Sequence, residues 1–176
     1  MDFVEIVPWF LPGVLLSLIV GVATRRSVAR FLAVSPAIAA ALIASAGWTV
    51  AATLTPLRRA LESDAAGTGG CDLSRLRGPT LEEVVGSGSD EVLLNLLLFV
   101  PLGFTIGLAP RSRQKAVLLL VGVLMPVSIE AIQLLTPVLV RGCESADIVD
   151  NLLGLALGVT TATVAHHLSS LIPPAN

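Results

Sequence analysis

The chain has 176 residues, 54% hydrophobic and 14% charged, with mean hydropathy +0.86 and formal net charge −2. Soluble domains carry about a quarter charged residues, so this composition excludes an ordinary soluble globular protein, and the negative charge argues against nucleic acid as a partner. What remains is an all-α polytopic membrane protein, built as a single membrane domain over residues 1–176.

The opening MDFVEIVPWF lacks the basic n-region of a signal peptide, so no cleavable leader is expected. A first span is predicted over residues 6–23. Pro8 and Pro12 sit in its first turns, Trp9 and Phe10 suit an interfacial belt, and Arg25, Arg26 and Arg30 follow. A second, Ala-rich span is predicted over 31–55. Residues 56–89 form the one long polar segment, holding Arg58, Arg59, Glu62, Asp64, the glycines of GTGG, Cys71, Asp72, Arg75 and Arg77. Its mixed charges predict an ordered surface loop, with one short helix at the Thr80/Glu83 capping-box spacing. The third span, 92–109, begins after Asp90 and Glu91 and is expected to break at Pro101-Leu102-Gly103. Arg111, Arg113 and Lys115 follow it. The fourth, 116–135, should kink at Pro126, one turn before Glu130. The fifth, 148–171, ends near His166, His167 and Pro173-Pro174. The result is a bundle of five transmembrane helices. Short loops rich in Arg and Lys stay cytoplasmic, which places the N-terminus outside, the C-terminus inside and the long loop on the extracytoplasmic face of a multi-pass protein of the cell membrane.

That topology exposes an internal repeat. Glu91-Val-Leu-Leu-Asn95-Leu-Leu resembles Asp147-Ile-Val-Asp-Asn151-Leu-Leu, and both begin spans running the same way. An acid and an asparagine four residues apart share a helix face, so two parallel helices should carry them at equal depth. Glu130 and Gln133 lie near the outer end of the antiparallel fourth span. An ionised acid inside a span costs on the order of 3 kcal/mol, so Glu130 is either functional or a protonated glutamate bonding a neighbouring helix. Asp147 and Glu91 are either functional or helix-capping acids. Arg141, the one basic residue of its loop, suits a phosphate or a carboxylate. Glu144 stands beside it, and Asp150 is left facing headgroups. The expectation is one polar cavity lined by Glu130, Asp147, Asn151, Asn95 and Arg141, with Glu91, Gln133 and Glu144 as further ligand-binding candidates. Gly154 and Gly158 allow another helix close approach. Cys71 and Cys143 both fall on the outer side by the charge argument, where thiol pairs close; a disulfide pinning the long loop over the cavity is predicted. The spacing of Cys and His gives no metal motif, and no cofactor fingerprint is present.

The segment Glu91-x-x-x-Asn95 running into Phe99-Val100-Pro101-Leu102-Gly103-Phe104, the helix Ser128-x-Glu130-x-x-Gln133, and Arg141-x-x-Glu144-x-x-Asp147-x-x-x-Asn151-x-x-Gly154-x-x-x-Gly158 resemble, in order and spacing, the VanZ-like family of bacterial membrane proteins. The likeness covers residues 91–158, and Glu144 departs from it where an Asp is expected. The resemblance implies a membrane protein related to an accessory factor of low-level resistance to the glycopeptide teicoplanin, and implies no particular reaction. The residues leave open an enzyme acting on a lipid or polyprenyl-linked headgroup, with Glu130 or Asp147 as acid or base, and a non-catalytic protein that binds or shields a lipid or cell-wall precursor. A small transporter fits less well, because the repeat is parallel and has no inverted halves.

Overall fold

A computed structural model describes residues 3–62, 70–86, 90–110 and 112–170. Asp64, most of GTGG, Arg111 and Pro173-Pro174 lie outside the described residues. In chain order the elements are α1 (Phe3–Ile6), α2 (Phe10–Leu32), α3 (Pro36–Thr53), α4 (Arg58–Glu62), β1 (Cys71–Asp72), α5 (Leu81–Val85), α6 (Asp90–Leu108), α7 (Arg113–Leu135), a 3₁₀ turn (Pro137–Leu139), β2 (Cys143–Glu144) and α8 (Ser145–Ser170). Five of the helices, α2, α3, α6, α7 and α8, are long and apolar enough to cross a membrane.

The helix ends follow from local chemistry. Ser35 caps α3 by accepting from the Ile38 amide at 3.2 Å, with Pro36 in the first turn, and Ser112 caps α7 through the Lys115 amide at 3.3 Å. Thr80 and Glu83 form the expected capping box of α5. The first span differs from expectation: α2 continues through Arg25, Arg26 and Arg30 to Leu32, since long cationic side chains reach the interface without ending a helix. The expected break at Pro101 is also corrected, because α6 runs unbroken from Asp90 to Leu108, as α7 does through Pro126. The proline leaves the Leu97 carbonyl without its helical donor, and one turn on Thr105 Oγ1 donates back to the Pro101 carbonyl at 2.7 Å.

Two close helix pairs organise the bundle. In the α2–α3 hairpin, Gly47 meets Ser17 and Gly13 meets Ala51. In the parallel pair α6–α8, a methyl group built on Gly154 would overlap the Leu96 carbonyl, one on Gly158 the Val100 carbonyl, and one on Gly103 the Leu155 carbonyl. Small residues thus bring the two backbones together, which is how helices associate where apolar burial gives no advantage over lipid. α3 packs on α6, and α7 on α8. Phe99, Ile106, Ile129 and Leu155 fill the centre. Phe10 is buried edge-on against Trp48, with ring centroids 5.2 Å apart, while Trp9 is exposed.

Candidate functional site

β1 and β2 form a two-residue parallel ladder, Cys71 opposite Cys143 and Asp72 opposite Glu144, closed by the expected Cys71–Cys143 disulfide. The bond ties the polar segment after α4 to the start of α8. Ser145 Oγ donates to the Arg75 carbonyl at 2.9 Å, and Asp72 accepts from the Ser74 amide at 2.8 Å, which holds its carboxyl below the usual range. Between this clamp and the heads of α6 and α8 lies a cavity of about 270 Å³. Its polar lining comes from Asp72, Ser74, Arg75, Glu91, Glu144, Ser145, Asp147 and Asp150.

The cavity is acidic. Arg75 is its one cation, and both its terminal nitrogens bond Asp150, at 3.1 and 2.5 Å. Asp150 is 1% exposed, and this fork is a charge-assisted, bidentate pair; the carboxylate beside it raises the Arg75 guanidinium further. Asp147 accepts from Asn95 Nδ2 at 2.6 Å. The two copies of the internal repeat therefore meet crosswise, the asparagine of α6 on the acid of α8.

The expected residues divide between two places. Glu91, Glu144 and Asp147 line this cavity and Asn95 steadies Asp147, whereas Glu130, Gln133 and Arg141 are not part of this lining and lie against the end of α3. A helix leaves its last carbonyls without intrahelical partners, and its C-terminal end attracts cations. Arg141 meets that demand, donating to the Ala52 carbonyl at 2.7 Å and to Thr55 at 3.3 Å, while Gln133 Nε2 donates to Thr53 at 3.0 Å. Burial lowers Arg141 to about 10, with Asp147 and Glu130 opposing the shift, so it stays cationic at neutral pH. Glu130, 2% exposed, accepts from the Glu144 backbone amide at 2.8 Å. Asn151, 1% exposed, lies one turn beyond Asp147, and among the described residues its Oδ1 has no hydrogen-bond partner, nor has Gln133 Oε1. Val140, just before Arg141, sits in the left-handed region at φ 54°, unusual for a β-branched residue. Its carbonyl accepts from Arg59 at 3.2 Å.

Sequence reasoning missed Arg75 and left Asp150 facing headgroups, where the structure buries it in an ion pair. The signal was available in the disulfide. Asp72, Ser74 and Arg75 lie within four residues of Cys71, so closing Cys71 on Cys143 carries all three to the head of α8. His166 and His167 are exposed on the last turns of α8. Among the described residues no group of three His, Cys, Asp or Glu side chains could hold a metal ion.

A family model described as VanZ/LLP1 matches residues 52–166, a stretch that takes in α6, α7, most of α8 and the cavity lining. No curated protein and no solved structure matches the chain. The family match covers well over half of the sequence: the chain belongs to the VanZ/LLP1 family, and with its five apolar helices it is a multi-pass membrane protein.

Proposed function

We propose that this VanZ/LLP1 protein binds the headgroup of a membrane lipid or of a lipid-linked envelope precursor in the cavity at the head of α8, on the extracytoplasmic face. The observation that carries the reading is the charge of that cavity: Asp72, Glu91, Glu144, Asp147 and Asp150 face one arginine, itself held by Asp150. Such a lining selects a cationic group, so the ligand is one whose head bears an amine. An anion held by Arg141 is disfavoured, because that guanidinium already serves the end of α3. Two features support the outward orientation. The disulfide suits the oxidising side, and the last turns of α2 and the first turn of α7 carry the basic residues Arg25, Arg26, Arg30, Arg113 and Lys115, as expected of the cytoplasmic side.

Binding is favoured over turnover. A general acid or base must reach the atom it serves, and Glu130 has one oxygen on a backbone amide and no place in the cavity lining. Asp147 is the carboxylate with access, and an enzymatic reading would rest on it. A part in teicoplanin resistance would then follow from holding or shielding a precursor.

The test reconstitutes the purified chain in nanodiscs with equal phosphatidylethanolamine and phosphatidylcholine, then counts retained lipid by native mass spectrometry. The expected result is enrichment of the primary-amine lipid, reduced about ten-fold by Asp147→Asn, the loss of about 1.4 kcal/mol. Equal retention of the two lipids by the wild type would remove the reading.

A further inference from the structure

The molecule is polarised along its helix axes. At the end opposite the disulfide, where α2 stops and α3 begins, no acid is present among the described residues, while Arg25, Arg26, Arg30, Arg113 and Lys115 gather there. Lys115 has a structural duty, donating to the Gly107 carbonyl at 2.7 Å near the end of α6. Arg26 and Arg30 have none: neither makes a hydrogen bond or ion pair with a described residue. They are four apart on one face of α2. With Ala29, Val34 and Pro36 they line an open groove of about 660 Å³ beside the α2–α3 turn.

The turn itself is satisfied. The Ala33 amide bonds the Ala29 carbonyl and Ser35 caps α3, so the backbone offers no reason for the two guanidinium groups. Around the groove the surface is apolar: Phe31 is 82% exposed, and Ile19 and Val22 further along α2 are exposed as well. We propose that this groove binds an anionic phospholipid, with its phosphate held between Arg26 and Arg30 and its acyl chains along the outer flank of α2. Planar guanidinium donors match phosphate oxygens two at a time. Two such groups without a neighbouring acid favour a headgroup with net negative charge over a zwitterionic one. The apolar flank favours a lipid over free phosphate, which has nothing to lay there. Basic pockets beside spans are a recognised setting for such headgroups. The site is independent of the acidic cavity at the far end.

The test uses the full chain in nanodiscs of phosphatidylglycerol and phosphatidylcholine, with retained lipid counted by native mass spectrometry and folding checked by thermal unfolding. The wild type is expected to enrich phosphatidylglycerol. Arg26→Gln and Arg30→Gln should each lower that enrichment roughly five-fold, the worth of one arginine near an anionic surface. Arg25→Gln, outside the groove lining, should leave it within about two-fold, and Arg26→Lys with Arg30→Lys should keep part of it by keeping the charge. Asp147→Asn should leave it unchanged, which separates this site from the amine-binding one. A wild type without preference for phosphatidylglycerol would overturn the proposal. So would an equal loss in Arg25→Gln, since diffuse charge rather than the groove would then be responsible.

Discussion

Replacing Arg75 by methionine is the sharpest perturbation of the cavity wall. The change removes both hydrogen bonds to Asp150 and leaves a carboxylate that is 1% exposed without its counter-ion. Breaking a buried pair from one side costs about 3–5 kcal/mol, most of it the penalty of the abandoned charge. The Arg75 side chain is 16% exposed, so some water reaches the pair, and the lower end, about 3 kcal/mol, is expected. Asp150→Leu alone should cost less, because the freed guanidinium can turn toward water. The double variant Arg75→Met/Asp150→Leu should recover all but about 1–2 kcal/mol, giving a coupling of at least about 1 kcal/mol plus the cost of Asp150→Leu alone. The assay is reversible unfolding in micelles by denaturant titration, followed through Trp9 and Trp48. For contrast, Arg58–Glu62 is a solvent-exposed i,i+4 pair at 2.6 Å, and its removal should leave the midpoint unmoved. If Arg75→Met lost less than about 1 kcal/mol, the pair would behave as a surface ion pair. The account of Arg75 as the strut that sets the wall of the cavity would then fail.

Other outcomes follow from the same structure. Gly154→Ala should destabilise by up to about 3 kcal/mol, because its methyl meets the Leu96 carbonyl, whereas Gly70→Ala, with nothing nearby, should stay within about 0.5 kcal/mol in the same unfolding assay. Reducing Cys71–Cys143 opens a closure spanning 72 residues and should lower stability by roughly 2–4 kcal/mol, with faster amide exchange over residues 71–77; unchanged exchange there would remove the clamp. Glu83 is pulled down to about 2 from its ordinary 4.5, first by Arg77 and then by the Thr80 amide, so its contribution is full above the unfolded value and is lost as pH falls from about 4.5 through about 2. Helical amide shifts of α5 in an acid titration should follow that window and should not change between pH 6 and 8.

The spans were legible because a run of some 18 or more apolar residues has few alternatives, and the disulfide because the topology puts both cysteines on one side. The acid-x-x-x-Asn repeat predicts two parallel helices with these groups at equal depth, and in the structure α6 and α8 are parallel with Asn95 bonded to Asp147. The assignments that failed depend on distances that sequence does not carry. Arg75 and Asp150 are 75 residues apart, and the repeat that contains Asp150 gives it no basic partner; only closing the disulfide brings Arg75 to it. Arg141 looked like an anion ligand because its loop has no other cation, yet the nearest demand for a donor came from the Ala52 carbonyl that α3 leaves open and the Thr55 carbonyl just beyond it. Pro101 looked like a break because proline removes a helical hydrogen bond, but the packing of α6 against α8 and α3 holds the helix through it.

The residues against the end of α3 then have a coherent physical role. Residues 136–144 link α7 to α8, and their position decides where the cavity wall stands. Besides the Cys71–Cys143 disulfide, side-chain tethers hold this link: Glu130 on the Glu144 amide, Arg141 on the last turn of α3, and Arg59 on the Val140 carbonyl. Val140 keeps a left-handed backbone under them, a conformation costing of order 1–3 kcal/mol that persists only where surroundings over-determine it. Gln133 Oε1 and, a turn below Asp147, Asn151 Oδ1 are buried there without a bond to a described residue. A bundle selected for stability alone would place apolar side chains at these positions. The left-handed Val140 and the bonds around it show Glu130 and Arg141 holding the link behind the acidic cavity, whereas Asp147 is part of the cavity lining itself.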